Sequence, residues 1–341
     1  MRIEAKGLLR AGLALAGILV IVWIVWRTGW TGVRAYLLTI GPWFPALLVL
    51  NLIAQAGFVA GLRYVLDPLP AWSEFPRLYA IYLMGDAANY IVPAGGEAAK
   101  THFLRRMEGG EAALAAVALH KHADLVAQFT FAVISVGTAL IWFDFPRAVA
   151  AAAILGTLAL LALLMLMTWA LGRGAFSPIL RRLLAWKFLA RRLHQFQSGA
   201  AAVDARIVRF HANHRRLFLV AAFFCFLGYC GGLIETWIVL RILAPSAGWA
   251  TRLTVEGLPM VLNNAILFIP GKLGGAEGIR TAICVLVGMT AAQGAAYSLF
   301  KRTREVLWVL PGWVLLVRDR LRGDHPLARE EEEVGKEAPA R

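Results

Sequence analysis

The sequence predicts an all-α polytopic membrane protein, with about six full spans plus two broken or re-entrant helical hairpins in a degenerate inverted repeat. Three observations carry that prediction. The 341 residues are 59% hydrophobic and only 16% charged, against about half and about a quarter in soluble domains. Residues 35–62, 125–143, 148–172, 217–234 and 281–300 contain no Asp, Glu, Lys or Arg, and roughly 20 apolar residues cross the hydrocarbon core. Finally, 35 Lys and Arg stand against 21 Asp and Glu, a net charge of +14, which in so apolar a chain marks basic cytoplasmic segments. Global disorder is excluded by the apolar content. A nucleic-acid-binding domain would explain the charge but not the apolar bulk, so nucleic acid is not an expected partner.

In chain order, the first helix is expected over about 8–26. Arg10 and Arg27 flank its core, and no small-residue cleavage site leads into a soluble domain, so it reads as an uncleaved span. A second helix is expected over about 43–66, with Pro42 and Pro45 near its first turn, where proline is tolerated. The stretch 74–110 is apolar from Leu78 to Val92 and breaks at Pro93-Ala94-Gly95-Gly96. It then continues with Glu97, Lys100, His102, Arg105 and Arg106. Residues 111–142 read as one helix despite His120, Lys121, His122 and Asp124, and 147–171 as another.

Residues 172–216 hold ten basic residues against the single acid Asp204, interleaved with Leu180, Leu183, Leu184, Phe188 and Leu193. This is the pattern of an amphipathic helix on an anionic membrane surface. It separates a first transmembrane half, 1–171, from a second, 217–317. The second half opens with a helix over 217–243. A second interrupted stretch follows, 251–289, broken at Pro270-Gly271-Lys272-Leu273-Gly274-Gly275, and a last helix covers 291–317 with Lys301, Arg302, Arg304 and Glu305. Residues 318–341 read as a disordered cytoplasmic tail. Cys225, Cys230 and Cys284 lie in apolar segments and read as buried small hydrophobes.

The two interrupted stretches resemble each other. One runs Asn89-x-x-x-Pro93-x-Gly95-Gly96-Glu97, the other Asn264-x5-Pro270-Gly271-x-x-Gly274-Gly275-x-Glu277, and each leads to a helix with a charged cluster. The positive-inside rule places the basic connector in the cytoplasm. Counting spans from it, the first hairpin enters from inside and the second from outside, the logic of inverted-repeat transporters. Irregular backbone at membrane depth survives only where protein covers it or it lines a wet cavity. The helix starting after each break presents free N–H groups and a positive dipole end, suited to an anion such as a lipid phosphate.

Glu97 and Glu277 lie at those starts, as helix caps or as substrate contacts. Asn89 and Asn264 either satisfy broken backbone or touch substrate. Charges inside the membrane are costly and face a cavity or a partner. Lys121 pairs with Asp124 at i, i+3, and Lys301 or Arg304 with Glu305. Lys100, Arg105 and Arg280 are the candidate phosphate contacts, and Glu235 and Glu256 are further candidates. Gly95-Gly96-Glu97-Ala98-Ala99-Lys100-Thr101 lacks the glycine before lysine that a phosphate loop needs. His120 and His122 point to different helix faces and make a poor metal pair. No catalytic motif, metal site or cofactor site emerges.

The Asn89 to Glu97 stretch with trailing Arg105, and above all Ile269-Pro270-Gly271-x-Leu273-Gly274-Gly275-x-Glu277-Gly278, resemble the lysylphosphatidylglycerol synthase transmembrane family, also called flippase-like, over roughly 10–317. The resemblance implies movement of a phospholipid between leaflets of the cell inner membrane, with both termini cytoplasmic. In members of that family a separate cytoplasmic domain makes the aminoacylated lipid. No such domain follows the last helix here, so aminoacyl transfer is not expected. Other members are associated with hopanoid or glycolipid pathways, which leaves the lipid open. The family often shows an acidic–arginine pair after the first motif, where this chain has His120-Lys121-His122-Ala123-Asp124.

The expected activity is therefore lipid translocation, with a headgroup passing between the two broken-helix elements. The alternatives are an intramembrane lipid-headgroup transferase using Glu97 or His120 as base, and an accessory subunit of a lipid-biosynthesis complex. Expected partners are a membrane lipid substrate and anionic headgroups at the connector. A second copy of the chain or a lipid-biosynthesis enzyme are the protein partners left open.

Overall fold

The computed structural model describes Trp26 and residues 30–91, 95–174, 199–263 and 274–321. The expected first helix, the break residues Pro93, Pro270 and Gly271, the candidate Asn264, the middle of the connector and most of the tail lie outside the described residues. Among the described residues the secondary structure is helical throughout: α1 (Trp30–Ile40), α2 (Phe44–Tyr64), α3 (Phe75–Ile91), α4 (Gly95–Glu108), α5 (Gly110–Trp142), α6 (Arg147–Gly172), α7 (Ala200–Asn213), α8 (Arg215–Leu243), α9 (Trp249–Leu262), α10 (Gly275–Leu286) and α11 (Ala291–Leu321). The protein is thus an all-α, multi-pass membrane protein.

Four helical stretches among the described residues are long and apolar enough to cross a membrane: Val33–Tyr64, α5, α6 and α8. The helix expected over 43–66 begins at Phe44, and a helix not foreseen, α1, precedes it across a 3-10 turn, Gly41–Trp43. Pro42 sits in that turn and Pro45 in the first turn of α2. Helix α11 has 31 residues, about 46 Å of helix, but carries the charges Lys301 to Glu305. It continues to Leu321, past the expected start of the tail. There Arg106 at the end of α4 grips Asp319 through both carboxylate oxygens, at 2.6 and 3.2 Å.

Each interrupted stretch forms two helices that pack on each other, α3 with α4 and α9 with α10. Gly96 explains how closely the first pair approaches. A Cβ there would lie 2.8 Å from the Gly85 carbonyl oxygen and 2.9 Å from Asn89 Cβ, so any larger residue would push the helices apart. Gly274, just before α10, has φ +75°, the left-handed region that L side chains avoid.

The halves interlock. Helix α2 crosses α8 through small residues: Gly57 faces Gly228, Gly61 faces Cys225, and Gly231 faces Ala54. Lipid offers no hydrophobic drive for helix association, so such close backbone approach supplies the attraction. Helix α5 packs on α4 and α6 of its own half and also on α8 and α9, while α11 packs on α10 and also on α1 and α3. The contacts are reciprocal. Gly257 of α9 receives Ser135 of α5, and Gly312 of α11 lies against Leu83 and Ala87 of α3. One apolar core joins the end of α2 with α3, α4, α7 and the start of α5 (Leu62, Leu78, Leu104, Leu119, Ile207). The other joins the end of α5 with α8 to α11 (Val136, Leu240, Leu258, Ile283, Phe300). Connector helix α7 buries Val203, Ile207 and Phe210 in the first core and exposes Arg206 and Arg209; Leu180, Leu183, Leu184, Phe188 and Leu193, which carried the expected membrane-surface face, lie outside the described residues. Cys225 and Cys284 are buried and Cys230 is half-buried, all three free.

Candidate functional site

Both breaks lead to the same arrangement of charge. Glu97 is the third residue of α4, and Glu277 the third of α10. From these positions each carboxylate turns toward the following long helix. Glu97 reaches Lys121 at 4.0 Å, and Lys121 pairs with Asp124 at 2.9 Å. Glu277 bonds Arg302, and Arg302 pairs with Glu305 at 3.2 Å. Each module is therefore an acid at the post-break helix start, a cation on the long helix, and a second acid at i, i+3 from that cation. The partner of Glu305 is thus Arg302, not Lys301 or Arg304 as the spacing suggested. Side chains three residues apart share a helix face, but Lys301 and Arg304 turn to α8 and α2 instead.

The first module is open. Lys121 keeps 42% of its side chain accessible and Glu97 36%. Tyr229 of α8 donates to Asp124 Oδ1 at 2.8 Å. Lys100 is buried and places its ammonium 4.1 Å above the Tyr82 ring. It packs on Gly85, where a Cβ would lie 2.6 Å from Lys100 Cγ. Asp86 of α3 lies within electrostatic reach of Lys100, Glu97 and Asp124. His120 meets the Phe58 carbonyl oxygen on α2 at 3.0 Å, whereas His122 meets Thr168 on α6 at 2.9 Å, so the two imidazoles do face apart. Asn89 is exposed beside Gly96, and Arg105 is exposed at the far end of α4 beside Gly110. Arg105 thus stands away from the module.

The second module buries its acid–cation contact but leaves Glu305 37% exposed, and a further cluster adjoins it. Glu277 and Arg302 are 2% and 9% exposed at their side chains. Tyr90 of α3 receives a bond from Arg302 at 3.1 Å. Nearby, Glu235 of α8 holds Lys301 at 2.7 Å and Arg304 at 3.2 Å. Glu256 of α9 holds Lys301 at 2.9 Å and accepts from Thr236 and from Tyr297, the latter at 3.0 Å. Arg304 also donates to Asn51 of α2. Breaking such a buried pair costs about 3–5 kcal/mol, because one charge is left uncompensated.

Bonding capacity nevertheless remains. Glu235 Oε1, Glu277 Oε2, Thr281 Oγ1, Asn51 Nδ2, Arg280 Nη1 and Arg304 Nε are buried without a hydrogen-bond partner. Buried polar groups ordinarily find partners. Glu277, Arg280 and Thr281 all lie on α10, and Glu235, Asn51 and Arg304 belong to the adjoining network.

Of the residues singled out in the sequence, Glu97, Lys100, Lys121 and Asp124 come together on one side, and Glu277, Glu305, Lys301 and Arg304 on the other. Sequence reading missed Arg302, Asp86, Tyr90, Asn51, Tyr229 and Tyr297. Asp86 is a lone acid within an apolar run, a signal that was available. The tyrosines and Asn51 carry no signal of their own in so aromatic and apolar a chain.

Residues 9–312 match the family model described as lysylphosphatidylglycerol synthase TM region. No curated protein and no solved structure matches the chain.

Proposed function

Because the chain belongs to the lysylphosphatidylglycerol synthase TM region family, a membrane family tied to lipid metabolism or transport, we propose that it moves a lipid between leaflets of the inner membrane. The headgroup travels between the two broken-helix elements while the acyl chains remain in lipid. The observation that carries this reading is the pair of matching acid–cation–acid modules, one at each break, with unsatisfied buried polar atoms beside the second. Charges at membrane depth are retained where they serve a pathway, and interrupted helices meeting from two repeats are the architecture of substrate sites in transporters.

In this mechanism the open first module receives the headgroup. Glu97 and Asp124 attract its cationic or hydroxyl donors, and Lys121 meets its phosphate. The N–H groups at the starts of α4 and α10 offer further anion contacts. Glu277, Thr281 and Arg280 provide the unused acceptors and donors of the second position. The two hairpins enter from opposite faces, as the charge distribution suggests, so the positions serve opposite leaflets.

The test is leaflet exchange of fluorescent phospholipids in proteoliposomes, scored by dithionite quenching. Purified protein should accelerate exchange over empty vesicles, and Glu97→Gln and Glu277→Gln should each slow it at least tenfold, a change of about 1.4 kcal/mol. Exchange no faster than in empty vesicles, across phosphatidylglycerol, phosphatidylethanolamine and a glycolipid, would defeat the proposal.

A further inference from the structure

Two arginines outside the modules, Arg63 and Arg252, are buried with no carboxylate paired to them among the described residues. Arg63, in the last turn of α2, is 5% exposed. Its guanidinium lies 4.1 Å from the Trp72 ring and 5.3 Å from that of Tyr64. Its Nε has no hydrogen-bond partner. Among the described residues no carboxylate pairs with it. Asp67, four residues on, faces His214 at 4.0 Å instead. Arg252, in the first turn of α9, is 4% exposed, lies 4.4 Å from the Trp237 ring of α8 and likewise leaves Nε without a partner. The charge acting on it is Arg241, of the same sign.

Both sites occupy the same place in their halves, the junction between the crossing helix (α2 or α8) and the first helix of the broken pair (α3 or α9). The roles are interchanged: the cation comes from the crossing helix in one half and from the pair in the other.

A desolvated cation needs an anion, and a cation–π contact returns only part of what water gave it. The surroundings say which anion. Trp72 is 57% and Trp237 42% exposed, and Trp249, in the same turn as Arg252, lies 4.9 Å from Trp142. Exposed tryptophans gather where headgroups begin. Beside the first site Phe75 touches Trp72 at 5.6 Å. It also opens an apolar groove on the outer face of α2 and α3, lined by Leu52, Ile53, Ala56, Pro76 and Tyr79. An anion at Arg63 that is joined to an acyl chain can lay the chain along that groove.

We propose that Arg63 with Trp72, and Arg252 with Trp237, each hold the phosphate of a resident membrane phospholipid, distinct from the transported one. Arginine presents several N–H donors in one plane to phosphate oxygens. The placing of the two sites in opposite leaflets rests on the inverted orientation proposed above; the binding itself does not.

The full chain, purified in detergent, is titrated with dioctanoyl phosphatidylglycerol, and bound lipids are counted by native mass spectrometry. The wild type should take up two lipids that dioctanoylglycerol, which lacks the phosphate, binds at least tenfold more weakly. Arg63→Gln should weaken one of the two about tenfold and Arg252→Gln the other, with lysine at either position keeping part of the affinity. Should a glutamine variant fail to run as a monodisperse peak, Trp72→Leu and Trp237→Leu, which keep the cation and remove its wall, must weaken the same lipids. Unchanged binding in the variants, or equal binding of dioctanoylglycerol, overturns the proposal. Displacement of the lipid by an equal concentration of inorganic phosphate overturns it too, since the site would then be one for a free anion. Lipid exchange is not part of the readout, so failure here and failure of the translocation reading are separate results.

Discussion

The two charge modules have the same plan and opposite character. The first uses lysine, keeps over a third of the Lys121 and Glu97 side chains accessible, and leans on one tyrosine. The second uses arginine, encloses its Arg302–Glu277 contact while Glu305 stays accessible, and is flanked by a network binding α2, α8, α9 and α11. A shared pattern therefore does not mean a shared task. An ammonium is a compact point charge that exchanges partners easily, whereas a guanidinium holds several partners in a fixed plane. In the proposed mechanism the first module receives and releases the headgroup, while the second holds the bundle and offers a few unsatisfied atoms.

The largest effect expected is that of Glu235→Leu. It strips Arg304 of its carboxylate and leaves Lys301 with Glu256 alone, for a loss of about 3–5 kcal/mol, read as a collapse of the thermal transition of the detergent-purified protein. A shift of only a degree or two would mean the network is not what holds the second half together. Glu277→Gln leaves Arg302 with Glu305 and Tyr90, so a loss of about 2 kcal/mol is expected in the same measurement. Arg302→Lys keeps the charge but gives up the planar set of bonds and should cost about 1–2 kcal/mol, while Lys121→Arg, in the open module, should leave the unfolding temperature nearly unchanged. If the two swaps were equally costly, the contrast between the modules would fall. Glu97→Gln should cost under about 1 kcal/mol, since its partner is half-exposed, and yet slow lipid exchange, so that stability and transport separate at the first module and move together at the second. The smallest effect is that of Arg106→Ala, about 0.5 kcal/mol, which should vanish as salt is raised and reports only the tie between α4 and α11.

Much of this was legible before any coordinates. Helices α5, α6 and α8 begin and end within two residues of the limits expected from the apolar runs, because a membrane segment is set by composition over a fixed thickness. The breaks were legible because proline and glycine act locally on the backbone. Helix α1 was not: the charge-free run 35–62 reads as one span starting near residue 43, whereas a 3-10 turn at Gly41–Trp43 separates α1 from α2. Pairing was the main thing misread. Glu305 takes Arg302, while Lys301 and Arg304 cross to Glu235, 66 and 69 positions earlier in the numbering. Helical spacing lists which neighbours are within reach, but not which face is turned toward another helix.

The division is therefore physical. The sequence by itself determined the solvent, the helices, their interruptions and the presence of a charged cluster after each, all of which depend on one residue and those within a turn or two of it. Only the tertiary structure decided that α5 and α11 each also pack on the other half, that Gly257 receives Ser135 as Gly312 receives the α3 backbone, and that the acid–cation contact of one cluster is accessible while that of the other is buried. Those outcomes depend on how closely helices distant in the chain can approach, and on which buried charge lies nearest another when they do.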